Sequence, residues 1–379
     1  MTASPKMGEP RLLRKSRIVA AILLLFCAHL SAKEANTSIT LPWIVVSSSG
    51  DRFLRSDTGT TFTPWGFNYD RDHKMRLLEE YWDQEWSTVV EDFREMKSLG
   101  ANVVRIHLQF SEFMDAPDKP NQKSLSQLSR IIKLAEETQL YVDITGLACY
   151  RKNNVPPWYT KATEGERWAA QEAFWEAIAL QCKDSPAIFF YNLMNEPFVP
   201  DKPRTAGEWT TGELAGFSYV QAITLDPAGR PRGEVATQWV KRMAKAIRKY
   251  DSCHLISLGM LPDAASGFDP SQIGTHLDFT CLHIYPNSST FEKDMSIIKA
   301  FKTTTPLIVE EIFPMFCKQD ELTQFMRSAD PHVAGWISFY WGQSLSQLDA
   351  SGTIPDKILL EWIKTFRQFR PASIDAETK

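Results

Sequence analysis

The chain has 379 residues, of which 43% are hydrophobic and 23% charged, a balance that excludes disorder and collagen-like structure. Its formal net charge of -4 leaves no basic footprint, so no nucleic-acid partner is expected. Aromatic residues reach 12%, with 12 Trp, which fits either a large aromatic core or a ligand with a flat apolar face.

The first thirty residues read as an address. Lys6, Arg11, Arg14, Lys15 and Arg17 stand against the single acid Glu9, and an apolar run from Ile18 to Leu30 ends in Ser31-Ala32. That order is the order of a secretory signal over residues 1–32. The run would rise only about 20 Å as a helix, short of a hydrocarbon core of about 30 Å. The expectation is cleavage near Ala32, with no stable membrane insertion afterwards and a secreted or periplasmic product. Residues 33–379 then form a single domain carrying 37 basic and 45 acidic residues. Its cysteines (Cys149, Cys182, Cys253, Cys281, Cys317) contain no C-x-x-C pair, so buried free thiols are expected rather than a zinc site or a disulfide frame.

In chain order, Trp43–Val46 and Arg52–Arg55 flank Ser-Ser-Gly-Asp and predict a hairpin below the main fold. Thr61–Phe67 predicts the first strand of the body, followed by a helix over Glu85–Leu99 with Val89, Phe93 and Met96 on one face and Gly100 as its stop. Asn102–Ile106 and Tyr141–Thr145 predict strands, with helices over Leu125–Thr138 and Arg167–Cys182. Ala187–Leu193 is the fourth strand, with a late helix over Val235–Tyr250. Leu255–Leu258, Phe279–His283, Leu307–Glu311 and Val333–Phe339 complete eight strands, with helices over Lys293–Phe301, Leu322–Ser328 and Lys357–Phe369. Apolar strands alternating with helices mean a parallel sheet covered by helices. Eight such units in one domain predict an α/β fold, a single (β/α)8 barrel with an N-terminal hairpin cap. No G-x-G-x-x-G follows the first strand, as a dinucleotide-binding open sheet would need; no cofactor is expected.

Chemistry in such a barrel belongs at the C-terminal strand ends. The residues there are Arg105 and His107, Asn195 and Glu196, His283 and Tyr285, Glu310 and Glu311, and Tyr340 and Trp341. Glutamates on the fourth and seventh strands face each other across the rim. Such a pair suits glycosidic cleavage, in which one carboxyl protonates the leaving oxygen and the other attacks or assists. In Asn195-Glu196-Pro197, the proline turns the chain directly after the acid.

These motifs resemble glycoside hydrolase family 5, of the retaining (β/α)8 glycosidases with cellulase- and mannanase-like members. Asn195-Glu196-Pro197 resembles the family's acid/base motif, and Leu-His-Ile-Tyr-Pro (282–286) its sixth-strand His-x-Tyr. Pro306-Leu-Ile-Val-Glu-Glu311 is similar to the seventh-strand pattern, whose nucleophile lies five residues after the proline. That register selects Glu311, and strand alternation would let only one of the two neighbours point inward. The resemblance implies Glu196 as acid/base, Glu311 as nucleophile and Arg105 as its support. It further implies Asn195, His283, Tyr285 and Trp341 as substrate contacts, with Trp341 flooring a sugar subsite. Where members carry a third-strand His, this chain has Thr145, and His107 is the candidate replacement.

Two long connections are expected to wall the site. Residues 147–163 carry Tyr150, Trp158 and Tyr159, and residues 198–234 carry Trp209, Phe217 and Tyr219; long loops on a barrel top are usually functional. Asn68, after the first strand, is a candidate for closing one end. The sequence has no H-x-H, H-E-x-x-H or G-x-S-x-G, so zinc and serine hydrolases fit poorly. The expected function is a retaining endo-acting β-glycanase on mannan or glucan, with a polysaccharide or oligosaccharide as partner. An exo-acting β-glycosidase or transglycosylase is the alternative on the same machinery, and a non-catalytic carbohydrate-binding barrel would leave the paired carboxylates unexplained.

Overall fold

The computed structural model describes residues 1, 40–339 and 341–371. The leader expected over residues 1–32 lies, but for Met1, outside the described residues, as does Tyr340. The barrel belongs to the compact unit that begins at Leu41.

Eight parallel strands close into a barrel in chain order. They are β1 (Trp65–Tyr69), β2 (Val103–Gln109), β3 (Tyr141–Ala148), β4 (Ile188–Asn195), β5 (Leu255–Met260), β6 (Thr280–His283), β7 (Leu307–Ile312) and β8 (Gly335–Ser338). Every residue of all eight is buried, as expected where helices cover one face and side chains fill the other. The covering helices are α1 (Trp86–Ser98), α2 (Gln122–Thr138), α3 (Glu164–Cys182), α4 (Arg232–Arg248), α5 (Phe291–Phe301), α6 (Gln319–Ala329) and α7 (Ile354–Phe366). Each of the seven predicted helices is present, several a turn longer at the start, where side-chain caps set the boundary. Asn121 accepts from Ser124 N, and Thr163 forms a capping box with Glu166 at the head of α3. The fifth unit has only short turns of helix over Pro270–His276 in that position. No helix among the described residues is long and apolar enough to cross a membrane.

The predicted first strand is divided. Thr61–Phe62 joins Ile44–Val46 and Phe53–Arg55 in a three-stranded antiparallel cap, and the barrel begins only at Trp65. Pro64, which has no N–H to give a ladder, lies between the two. The cap plugs the N-terminal end of the barrel with aromatics. Phe53 meets Phe189 and Phe279 edge-on at 5.2 and 5.0 Å between ring centroids, and Phe62 meets Tyr141 and Phe189 at 5.0 and 5.3 Å. The connection after β4 also has structure of its own: Thr210–Leu214 and Phe217–Ala222 pair as a hairpin, and Pro197–Phe198 adds a third strand. Among the described cysteines, Cys149, Cys182 and Cys281 are buried and form no disulfide.

Phe53 is wholly buried, so its truncation leaves a cavity under the barrel floor. Phe53→Ala is expected to cost about 3–5 kcal/mol of unfolding free energy, read as a lower urea midpoint with an unchanged slope.

Candidate active site

The C-terminal rim gathers around Arg105, whose guanidinium is completely buried. Its Nε donates to Thr145 Oγ1 at 2.8 Å, Nη1 donates to Asn68 Oδ1 at 2.7 Å, and Nη2 donates to Asn195 Oδ1 at 2.8 Å. Nη1 also pairs with Glu311 Oε1, and Nη2 lies 3.4 Å from Glu310 Oε2. Although burial works against its charge, the carboxylates of Glu310 and Glu311 keep it protonated. Thr145 therefore stands where the resemblance implied a histidine, and what it supplies is an acceptor for Arg105.

Glu311 is further held by Tyr285, whose hydroxyl donates to Oε2 at 2.5 Å. Glu196 sits one residue past β4 with φ +45°, a left-handed conformation costly for a residue with a Cβ. Its N–H donates to Gly259 O at 2.9 Å, which anchors the turn that swings the side chain over the rim. His283 lies between: its Nδ1 is 3.0 Å from Glu196 Oε1 and its Nε2 is 2.8 Å from Glu310 Oε2. Burial opposes charge on this imidazole, but the Glu311 charge and the bonds to Glu196 and Glu310 prevail and raise its pKa to about 9.

One carboxylate oxygen of Glu196, one of Glu311 and a ring nitrogen of His283 all lie within 4.8 Å of one another. A cation could be bridged at that spacing, yet a ligating imidazole must be free of its proton, and both His283 nitrogens are already engaged with carboxylates. The arrangement suits two facing carboxyl groups better than a metal.

The alternation argument for β7 fails here. Glu310 and Glu311 are neighbours, yet both reach inward-facing partners: Glu310 takes both Asn192 Nδ2 contacts (2.9 and 2.8 Å) while Glu311 takes Arg105 and Tyr285. The physical reason is a register shift in both ladders of β7, between Leu282 and His283 on one side and between Val309 and Ile312 on the other. Such an irregularity breaks the period of two and re-aims a side chain.

Several predicted contacts take a different place. Asn68 is buried, and its amide donates to the carbonyls of Glu310 (3.0 Å) and Ser338 (3.1 Å), so it braces Arg105 rather than closing a cleft. Trp341 has no exposed surface and packs edge-on against Phe67 at 5.5 Å; a ring with no free face cannot floor a sugar subsite. Trp158 packs against Phe110 and Tyr159, and no contact among the described residues joins it to the carboxylates. His107 is buried, and burial together with the Arg105, His283 and Arg71 charges holds its pKa well below the usual range. Because Asn68 Oδ1 can only accept, His107 donates from Nε2 (3.2 Å) and accepts the Tyr150 hydroxyl at Nδ1 (2.5 Å). It supports the site's walls and does not reach the carboxylates.

Sequence reasoning missed Asn192 and the roles of Asp70 and Arg71, whereas Tyr219 lies in a connection expected to wall the site. Asn192 is a lone amide inside an apolar strand, a signal the sequence did offer. The Tyr219 hydroxyl accepts from Arg71 Nη1 at 2.6 Å and donates to Asp70 Oδ2 at 3.2 Å, and Asn195 Nδ2 donates to Tyr219 O at 3.0 Å. That set joins the end of β1 to the inserted hairpin beside the carboxylates. The Glu196 and Glu311 side chains are left 12% and 7% exposed.

The raised His283 pKa has a consequence for stability. Its folded value of about 9 exceeds the ordinary 6.5, so the group stabilises the fold fully below pH 6.5 and the contribution is lost as pH rises through 9. The melting temperature is expected to fall across that window, and the fall should be shallower in His283→Gln; parallel curves for the two proteins would refute the assignment.

Comparison with known proteins agrees with this geometry. The family model for cellulase (glycosyl hydrolase family 5) matches residues 60–329. No curated protein matches. Among solved structures, the exo-beta-1,4-mannosidase Op5Man5 from Opitutaceae bacterium strain TAV5 is similar at 17% identity and TM-score 0.65, over 88% of this chain and 63% of that one. The chain thus spans less than two thirds of that protein's length. The endo-1,4-beta-mannanase from Rhizomucor miehei is similar at 19% identity and TM-score 0.58, over 88% of this chain and 99% of that one. The beta-1,4-mannanase of the sea hare Aplysia kurodai is similar at 16% identity and TM-score 0.54, over 84% and 95%. At such identities the likeness is one of fold. The family model covers well over half of the sequence, and the chain belongs to glycosyl hydrolase family 5, a glycoside hydrolase built on a (β/α)8 barrel.

Proposed function

We propose that the chain is an exported retaining glycoside hydrolase that cleaves β-linked glycans of mannan or glucan type by double displacement. The observation that carries the mechanism is the approach of Glu196 and Glu311 oxygens within 4.8 Å, near the separation of about 5–5.5 Å that retention requires and too close to seat a water between them as inversion does. Glu311 attacks the anomeric carbon while Glu196 gives its proton to the departing oxygen. Water then takes the leaving group's place, Glu196 removes its proton, and the bond to Glu311 breaks. Arg105 and Tyr285 fix the Glu311 carboxylate in line by donating to its two oxygens. The Asn195 amide spends one hydrogen on Tyr219 O, leaving the other for a sugar hydroxyl.

Mannan is the leading backbone because the similar solved structures are mannanases and a mannosidase. Export rests on the charged, apolar, small-residue order of residues 1–32. A second reading, exo action on chain ends, is favoured by one observation: the Asp70–Arg71–Tyr219 set ties the inserted hairpin to β1 beside carboxylates that are themselves nearly buried.

The test is sugar release from mannan, glucomannan, mixed-linkage glucan, xylan and a soluble cellulose derivative. Wild type is expected to act on a mannan- or glucan-type substrate, and Glu311→Gln to lose about a thousandfold or more. The first product, followed by proton NMR before mutarotation, should be the β-anomer. An α-anomer first, or activity surviving in Glu311→Gln, would refute the mechanism. Release of monosaccharide without a fall in viscosity would select the exo reading.

A further inference from the structure

Glu310 is a carboxylate that the double displacement does not use, yet it is completely buried two groups away from the acid/base. Burying an acid is costly unless partners hold it, and here they are built in. Asn192 Nδ2 donates to both its oxygens, at 2.9 and 2.8 Å, and Asn192 Oδ1 is itself fixed by the Gly259 N–H at 2.9 Å, which sets which end of the amide faces Glu310. Arg105 Nη2 stands 3.4 Å away. The remaining contact is His283 Nε2 at 2.8 Å, and the other nitrogen of that ring meets Glu196 Oε1 at 3.0 Å. Gly259 makes room for the pair: a Cβ there would come within 2.7 Å of His283 Nε2 and 3.0 Å of Glu310 Oε2.

We propose that Glu310 is a positioning residue for the acid/base: by accepting from Nε2 it holds His283 as a two-donor imidazolium, whose Nδ1–H anchors the Glu196 carboxyl at the rim. The proposal rests on Glu196 being the acid/base. Through both steps His283 keeps its two protons. Glu196 alone gives a proton to the leaving oxygen and takes one from water, and the Nδ1–H bond strengthens whenever Glu196 is ionised. The groups acting on His283 are Glu196 from β4, Arg105 and His107 from β2, and Glu310 and Glu311 from β7, while Asp143 and Cys281 act on Glu310 and Tyr285 on Glu311. Of these, Asp143 is shifted toward its neutral acid by burial and by the Glu310 charge, and His107 toward its neutral ring by burial and the neighbouring cations. Glu310 itself stays ionised despite burial, because Arg105 and His283 pull its pKa to about 2. It is therefore the counter-charge that lies behind the imidazole, on the side away from the substrate.

The test separates proton donation from nucleophilic attack by leaving group. Phenyl and 2,4-dinitrophenyl β-mannosides are compared, or the matching glucosides if glycan release points there, because only the phenyl leaving group needs the acid. In Glu310→Gln, kcat/KM on the phenyl glycoside is expected to fall about a hundredfold, the lower range for losing acid assistance, and on the dinitrophenyl glycoside at least tenfold less. His283, followed through its ring-proton NMR signals, should lose its second proton at lower pH in this variant, since losing the rear carboxylate makes the imidazolium easier to deprotonate. Gly259→Ala, which pushes His283 and Glu310 apart while leaving both in place, should give the same split in weaker form, with circular dichroism confirming the fold of each variant. Equal losses on both substrates, or no loss on either, would overturn the proposal. Glu196→Ala is the control: if it shows the split and Glu310→Gln does not, this proposal alone fails, and if Glu196→Ala shows no split, the acid/base assignment fails and the proposal with it.

Discussion

A guanidinium sealed inside the barrel must be neutralised where it sits, and the site is organised by that demand. An uncompensated charge in so buried a place costs several kcal/mol; Arg105 meets Glu311, Glu310, Thr145, Asn68 and Asn195, drawn from the strands and strand ends around it. Charge survives only where it is paired. Arg105, His283 and Glu310 face opposite charges that favour their ionised forms, while burial and the Glu310 charge favour the neutral acid at Asp143, and burial with the neighbouring cations favours the neutral ring at His107. The polar centre is thus an ionic core, with the Glu196 and Glu311 carboxyl groups placed on its outer edge.

That core could not be built on regular strands. A period of two gives one inward side chain for every outward one, and Glu310 and Glu311 are adjacent. The register shifts on both sides of β7 turn both inward, one to the ionic core and one to the substrate side. The left-handed backbone at Glu196 does comparable work on β4. In both places local irregularity is the means by which a regular scaffold presents a carboxylate, as is common beside active sites.

The same irregularities decide what could be read from the sequence. The barrel was legible because buried parallel strands and amphipathic helices carry their periods in the chain. The order Arg105, Asn195-Glu196, His283-x-Tyr285, Glu311 was legible because each residue closes a strand. The first strand was misread because Thr61–Phe62 and Trp65–Tyr69 have one continuous apolar pattern, and only Pro64 separates cap from barrel. The rule of alternation hid Glu310, since no residue type announces a register shift. Trp341 and Asn68 sit at strand ends like their neighbours, so only three-dimensional packing distinguishes a residue that faces the ligand from one that braces a ligand's partner. The connection over residues 198–234 that carries the inserted hairpin, rich in glycine and proline, has no long period at all.

The hairpin nonetheless bears on the proposed mode of action. An internal bond in a long chain can be cut only if the groove continues on both sides of the carboxylates. Here Tyr219 is hydrogen-bonded by Arg71 and Asp70 from the end of β1, packs on Tyr150 at 4.6 Å and faces Phe339 at 6.4 Å, all of them buried. The Asp70–Arg71 pair has almost no exposure to water that would screen it. Moving this wall aside would expose both charges and strip Asn195 of its bond to Tyr219 O, loosening Arg105 in turn. A wall coupled in this way to the nucleophile's own support is a poor candidate for a mobile lid. A fixed wall of this kind is the feature on which the proposed exo reading rests.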